Sequence, residues 1–307
     1  HVFVLGQGVN NPWYVGTTAE GLDTRFGSGR VIDPPISENG MNGVVIGAAL
    51  TGMKPITIHP RLDFLIAGIE QLINQASNWS YVFDGQTSCP IVVRGIINRG
   101  GEQGAQHSQA IQSLLMHVPG LKVVMPATPY DAKGLLIAAV EDDNPVVYID
   151  DRWLYGETGA VPEEPYSAPI GRAVLAATGT DVTVVAVSYM VKLALQAAES
   201  LADEGISVEV VDVRSLKPLD EDTICSSVRK TGHLVVADSG WRTAGASAEI
   251  AAVVAERVFG DLKAPIRRVT LPDVPAPSSR SLEAAYYPNA SDIVEAVRSV
   301  CAGTHGR

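Results

Sequence analysis

Short apolar runs rich in Val and Ile alternate with amphipathic helical patterns from one end of this chain to the other. That rhythm is the strongest constraint on its fold. Parallel strand pairs need long crossovers, usually helical, so the alternation predicts parallel sheets flanked by helices. The pattern predicts strands over 2–5, 30–33, 54–58, 91–94, 122–125 and 146–149. Between them it predicts helices over 39–51, 64–82, 108–116 and 130–141. The second of these helices is the most periodic, with Leu65, Ile66, Ile69, Leu72, Ile73 and Ala76 on one face. Ser108 is a candidate cap for the third, and Thr128-Pro129 opens the fourth with a cap and a first-turn proline.

Residues 150–177 break the rhythm with Gly156, Gly159, Pro162, Pro165 and Pro169. The alternation then resumes, with strands over 181–187, 207–212, 233–238 and 266–271 and helices over 190–203, 245–258 and 291–300. The run Val182-Thr-Val-Val-Ala-Val187 is nearly all apolar, as in a parallel strand covered on both faces. The expected fold class is α/β, two doubly wound parallel-sheet domains. The expected boundaries are 1–150 for the first domain, 151–177 for a linker and 178–307 for the second.

Composition narrows the function class. The net charge is −11 over 307 residues, which argues against nucleic acid or an anionic membrane as the main partner. No apolar run reaches the roughly 20 residues of a membrane span. Three scattered cysteines make neither a disulfide framework nor a zinc site. The chain is expected to be a cytoplasmic globular protein.

Ligands of open parallel sheets bind beyond the carboxyl ends of strands. The segments there are Gly6-Gln7-Gly8, Pro34–Gly40, His59–Phe64 and the glycine-rich stretch Gly95–His107. Glu38 stands at a helix start among neutral residues, where it is either a first-turn acid favoured by the dipole or a site carboxylate. His107 closes a flexible loop, where it is either an exposed turn residue or an acid–base group. No dinucleotide fingerprint, phosphate loop, His-Glu-x-x-His motif or nucleophile elbow is present.

Several segments resemble one family in order along nearly the whole chain. They are Pro35-Ile-Ser-Glu38-Asn-Gly, Gly104-Ala-Gln-His107-Ser-Gln, Val118-Pro-Gly-Leu-Lys-Val-Val, Tyr130-Asp-Ala-Lys-Gly-Leu-Leu and Asp212-Val-Arg-Ser-Leu-Lys-Pro-Leu-Asp220. The family is the beta subunit of the thiamine-diphosphate-dependent, decarboxylating component of 2-oxo acid dehydrogenases, in the transketolase superfamily. The resemblance implies a pyrimidine-binding domain followed by a transketolase-type C-terminal domain. It implies that Glu38 bonds a ring nitrogen of the cofactor's aminopyrimidine and promotes the tautomer that deprotonates the thiazolium carbon. Phe64 matches an aromatic residue packed on the pyrimidine, and His107 matches the active-site histidine. Ile91, Ala139, Asp142 and Asn144 match a potassium site of some relatives, though Asp142 and Asn144 also suit a plain turn before Pro145.

The motif Gly-Asp-Gly, which holds Mg²⁺ and the diphosphate in the family, is missing here. The resemblance therefore implies that a separate alpha chain holds Mg²⁺ and completes the site in an α₂β₂ assembly, and that this chain alone is inactive. Two positions depart from the family. Gln7 stands where relatives carry an acid in the cofactor pocket, and His59-Pro-Arg61-Leu-Asp63 replaces a more apolar or aromatic run. His59 and Arg61 are thus candidates for meeting a substrate or acceptor, while Arg61 equally suits a pairing with Asp63 or with the partner chain. Three functions follow. The first decarboxylates a 2-oxo acid such as pyruvate and passes the acyl unit to a lipoyl group on an acyltransferase partner. The second is a carboligase or split transketolase moving a two-carbon unit to a sugar, aldehyde or ketone. The third is a non-catalytic assembly subunit.

Overall fold

A computed structural model describes residues 1–11 and 15–302. The last five residues of the expected second domain, 303–307, lie outside the described residues. The chain divides into two compact units, His1–Arg99 with Gln106–Ile170, and Gly100–Ala105 with Gly171–Arg307.

The first unit contains strands β1 (Val2–Gly6), β2 (Val31–Ile32), β3 (Lys54–His59), β4 (Val92–Ile97), β5 (Lys122–Val124) and β6 (Val146–Asp151). Its helices are α1 (Leu22–Phe26), α2 (Glu38–Leu50), α3 (Trp79–Val82), α4 (Gln112–Met116) and α5 (Pro129–Glu141). The strands lie side by side in the order β5-β6-β4-β3-β1-β2. Each neighbouring pair is parallel. Strands β4 and β6 are buried at every position, which explains why their apolar residues run without alternation; the charged exceptions are Arg94 on β4 and Asp150 and Asp151 on β6.

The second unit contains β7 (Val174–Ala177), β8 (Val182–Ala186), β9 (Val208–Asp212), the short β10 (Ser215–Lys217), β11 (Leu234–Trp241) and β12 (Arg267–Leu271). Its helices are α6 (Tyr189–Ala202), α7 (Glu221–Thr231), α8 (Ala246–Val258), α9 (Arg280–Tyr286) and α10 (Ala290–Cys301). The five-stranded sheet runs β12-β11-β8-β9-β7 and is parallel except for its edge strand β7, antiparallel to β9. The stretch expected to be a linker thus carries a strand. Strand β7 is exposed at three of four positions, so it lacks the all-apolar signature of its neighbours.

Helix boundaries follow local chemistry. Thr128 accepts the Asp131 N–H at 3.1 Å and Pro129 fills the first helical position of α5. Asp220 caps α7 and Gly232, at φ 77°, ends it in the left-handed region. Two expected helices differ from the structure. The predicted 64–82 helix is a succession of a 3₁₀ turn over Leu62–Gly68, a π turn over Gln71–Gln75, a 3₁₀ turn over Ala76–Asn78, and α3. The changes of pitch rotate the apolar face, so Leu65, Leu72 and Ala76 are buried while Ile66 is 44% exposed. The predicted 108–116 helix begins only at Gln112. The Gln109 N–H is taken by Asp63 Oδ1 at 3.0 Å, which holds the preceding residues out of the helix.

Candidate active site

All strands of the first sheet run in one direction, so the carboxyl ends of β1 and β3 open on one edge. A cleft of about 490 Å³ lies there. Gln7, Glu38, His59, Arg61, Phe64 and His107 form its polar and aromatic wall, and Met41, Ile58 and Pro60 its apolar part. Four segments that are distant in sequence, at Gln7, Glu38, His59–Phe64 and His107, are therefore neighbours in space.

Each element contributes a side chain for a local reason. Gln7 follows the last residue of β1. Glu38 is the first residue of α2, after Ser37 in extended backbone at φ −165°. Its half-buried carboxylate suits the positive end of the helix. Phe64 sits on the 3₁₀ turn Leu62–Gly68. That turn rests directly on the start of α2, because a Cβ at Gly68 would lie 2.7 Å from the Glu38 carbonyl oxygen. Only glycine permits this approach, and it brings the Phe64 turn to the Glu38 helix.

A second tie joins the same elements. Asn42, one turn after Glu38 and fully buried, donates through Nδ2 to the Gly68 carbonyl at 3.0 Å. Its Oδ1 faces His59 Nε2 at 3.0 Å. With the Asn42 amide oriented by Gly68, the hydrogen belongs on His59 Nε2 and the ring's acceptor is Nδ1. His59 is 2% exposed, and burial brings its pKa down to about 4. Burial thus favours the neutral imidazole at pH 7.

Phe64 is 40% exposed and meets His107 edge-on, with ring centroids 5.3 Å apart and planes at 89°. Arg61 Nη1 donates to the Pro60 carbonyl at 3.0 Å. The set Ile91, Ala139, Asp142 and Asn144 lies elsewhere in the unit, at the end of α5 and the approach to β4 and β6. The Asp142 carboxylate accepts from the Asn144 N–H at 2.9 Å and pairs with Lys122 Nζ. The Ile91 carbonyl accepts the Val146 N–H at 3.0 Å. The side-chain charge of this set is neutralised, which leaves only carbonyl oxygens to hold a cation. Among the described residues no group of three or more His, Cys, Asp or Glu can hold a metal.

Sequence reasoning missed Asn42 and Gln109, and set Asp63 beside Arg61 where the structure gives it the Gln109 N–H. Asn42 carries a readable signal, since its spacing of four from Glu38 puts both on one helix face. Asp63 and Gln109 carry none, because their bond joins segments 46 residues apart.

An open parallel sheet with a carboxylate, an aromatic ring and an imidazole around the cleft at its carboxyl edge defines an α/β ligand-binding domain. Residues 1–157 match the family model "Transketolase, pyrimidine binding domain" and residues 171–293 match "Transketolase, C-terminal domain". The chain is 43% identical over 300 residues to the pyruvate dehydrogenase E1 component subunit beta of Rickettsia felis, covering 98% of this chain and 92% of the relative. It is 44% identical over 284 residues to the acetoin:2,6-dichlorophenolindophenol oxidoreductase subunit beta of Cupriavidus necator, covering 92% and 84%. A solved structure entitled "Split gene transketolase, inactive beta4 tetramer" superposes with a TM-score of 0.79 at 25% identity, covering 98% and 92%. The chain belongs to the transketolase-like family of beta subunits of thiamine-diphosphate-dependent 2-oxo acid dehydrogenases. No helix among the described residues is long and apolar enough to cross a membrane.

Proposed function

We propose that this chain is the beta half of an enzyme that decarboxylates a 2-oxo acid such as pyruvate and transfers the acyl unit to a lipoyl group. The observation that carries the reading is the convergence of Glu38, Phe64 and His107 on one cleft in a chain of this family. Bound thiamine diphosphate supplies the carbon nucleophile and takes up the electron pair released with CO₂. Glu38 holds a proton at a ring nitrogen of the aminopyrimidine, through a carboxylate placed at the start of α2. Phe64 packs its ring on the pyrimidine. Gln7 supplies a neutral hydrogen-bonding group beside it. His107 gives or takes a proton at the substrate or acceptor. Arg61 brings fixed positive charge to the wall, suited to a substrate carboxylate. His59 acts through its Nδ1 as a hydrogen-bond acceptor or through its bond to Asn42, since it carries no charge.

The chain contains no Gly-Asp-Gly motif for Mg²⁺ and the diphosphate. An alpha chain supplies that half in an α₂β₂ assembly, and a lipoyl acyltransferase receives the product. A potassium ion, where one binds, is held by the carbonyl oxygens of Ile91, Ala139, Asp142 and Asn144, at the negative end of α5. The three cysteines are free, which fits a reducing, cytoplasmic setting.

The test is reconstitution with an alpha chain, thiamine diphosphate and Mg²⁺, using a lipoyl domain as acceptor. Acyl-lipoyl product supports the reading, and its loss in Glu38→Gln by a factor of about 10²–10⁴ supports the role of Glu38. Decarboxylation without acyl-lipoyl product overturns it. One observation favours a second reading, two-carbon transfer to a sugar, aldehyde or ketone. Gln7 and Arg61 make the cleft wall more polar than an apolar acyl group requires. Product analysis with a panel of sugar and ketone acceptors separates the two readings.

A further inference from the structure

The stretch Gly100–Ala105 belongs to the second compact unit, although the chain before it, to Arg99, and after it, from Gln106, belongs to the first. Its backbone is unusual. Gly100, Gly101, Glu102 and Gly104 all have φ between 63° and 71°. Glycine adopts that left-handed region freely, but Glu102 does so at a steric cost. A strained residue persists where its surroundings over-determine it.

The surroundings here are residues 278–283. The Glu102 N–H donates to Glu283 Oε1 at 2.9 Å. Glu283 lies on α9 and is 6% exposed, so the bond is shielded from water. A carboxylate accepting a backbone N–H makes a charge-assisted bond, about twice as strong as a neutral one. A Cβ at Gly104 would lie 3.3 Å from Ser278 Cβ, so the loop runs directly over the same segment. Arg280 Nη2 stands 3.8 Å from the Glu102 carboxylate, but both side chains are exposed and the pair contributes little.

The loop leads into the candidate site. Arg99, just before it, is buried and paired with the buried Asp151. His107 follows Ala105 by two residues. Beyond the loop, the segment is tied by the Phe64–His107 ring contact and the Asp63–Gln109 bond. The path into His107 is therefore set by Arg99 at one end and by the hold on Glu102 in between.

We propose that Glu283 is a positioning residue for His107. Its carboxylate clamps the Glu102 amide, keeps Gly100–Ala105 on its left-handed path, and so fixes the backbone that enters His107. This rests on the reading of His107, in the function proposed above, as the group that moves protons at the substrate or acceptor. It gives a residue of the second unit a part in the chemistry beyond assembly.

The test uses the enzyme reconstituted with its alpha chain, thiamine diphosphate and Mg²⁺. Glu283→Ala removes the acceptor, while Glu283→Gln keeps an amide oxygen that takes the same N–H. In E283A, deuterium exchange of the peptide spanning 100–107 is expected to speed up about tenfold at the Glu102 amide, the worth of a hydrogen bond to a charged group. The expected loss in kcat is about 10- to 100-fold, the scale of a displacement of about 1 Å near a reacting group, with KM for the 2-oxo acid changed less. E283Q is expected to recover most of both effects. Arg280→Ala, which leaves Glu283 in place, is expected to match the wild type.

Unchanged exchange in a folded E283A overturns the proposal, as does an E283Q as impaired as E283A or a loss in R280A equal to that of E283A. Glu283→Met has similar length and no oxygen, and takes the place of E283A should the smaller side chain unfold α9. His107→Gln separates this proposal from the function it rests on. Full turnover in H107Q removes the catalytic reading of His107, whereas the exchange at Glu102 tests the Glu283 clamp without it.

Discussion

Phe64 and His107 stand edge to face, their ring centroids 5.3 Å apart and their planes at 89°. The contact joins the turn after β3 to the segment after β4, across 42 residues of intervening chain. The phenyl ring is 40% exposed and lines the cleft. Phe64→Ala removes that ring and the support of the imidazole together. An aromatic contact contributes about 0.5–1.5 kcal/mol beyond buried area, equivalent to roughly two- to tenfold in affinity. The expected outcome is a thiamine diphosphate affinity lowered about tenfold, with a melting temperature nearly unchanged because the ring is only partly buried. Calorimetric titration of the reconstituted pair measures the affinity, and a thermal scan measures the melting temperature. Unaltered cofactor affinity would refute the packing role.

His59 makes stability depend on acid. Its folded-state pKa of about 4 lies below the ordinary value of 6.5, so the unfolded chain binds the proton more readily. The neutral, buried ring stabilises the fold fully above pH 6.5, and that contribution is lost as the pH falls through 4. Between pH 7 and 5 the loss is about 2 kcal/mol. His59→Gln keeps a donor for Asn42 and cannot titrate. Its denaturation midpoint is expected to fall less than that of the wild type over the same range. Parallel acid dependence in the two proteins would show that His59 is not the group responsible.

Much of this architecture is legible in the chain itself, for identifiable reasons. The run 182–187 is nearly all apolar because both faces are covered, so its burial shows directly in composition. Thr128-Pro129 announces α5 because both residues act locally on the first turn. Glu38 and His107 stand out at strand ends, where the topology puts ligands. The turn Leu62–Gly68 does not show in the same way. Its apolar spacing reads as one long helix, yet Gly68 lets it lie against Glu38, and the pitch changes to suit that contact. The start of α4 is hidden for a similar reason, since the Asp63–Gln109 bond overrides what Ser108 suggests as a cap. Tertiary hydrogen bonds between distant segments leave no periodicity to read. The edge strand β7 escapes notice because exposure removes its apolar signature.

The proposed potassium site makes a prediction that separates monovalent ions. The Asp142 carboxylate is already paired with Lys122, so affinity must come from carbonyl oxygens around the end of α5. Such oxygens discriminate by fit and not by charge. The melting temperature is expected to rise in potassium chloride over sodium or choline chloride at equal ionic strength, by several degrees for binding well above the dissociation constant. Equal melting temperatures in the three salts would remove potassium from the description, and Asp142 with Asn144 would remain a turn.

The pair Arg94–Asp150 offers a sharper test of the first sheet. Arg94 Nε and Nη2 lie 3.1 and 2.6 Å from the two Asp150 oxygens, a two-point clamp between adjacent strands β4 and β6. Thr18 Oγ1 accepts from Nη1 at 2.8 Å, and the Tyr155 hydroxyl accepts from Nη2 at 3.1 Å. Both charged side chains are about nine-tenths buried, at 9% and 11% exposure. The Asp150 charge and its hydrogen bonds hold the Arg94 guanidinium firmly protonated despite burial. Removing one partner leaves the other charge largely buried and unpaired, so Asp150→Asn is expected to cost about 3–5 kcal/mol. Replacing both removes the stranded charge, so D150N with Arg94→Met is expected to recover part of that loss. Denaturant unfolding of the two single variants and the double gives the coupling energy directly. Additive losses would mean that the two side chains contribute independently, and that solvent reaches the clamp between β4 and β6 well enough to screen it.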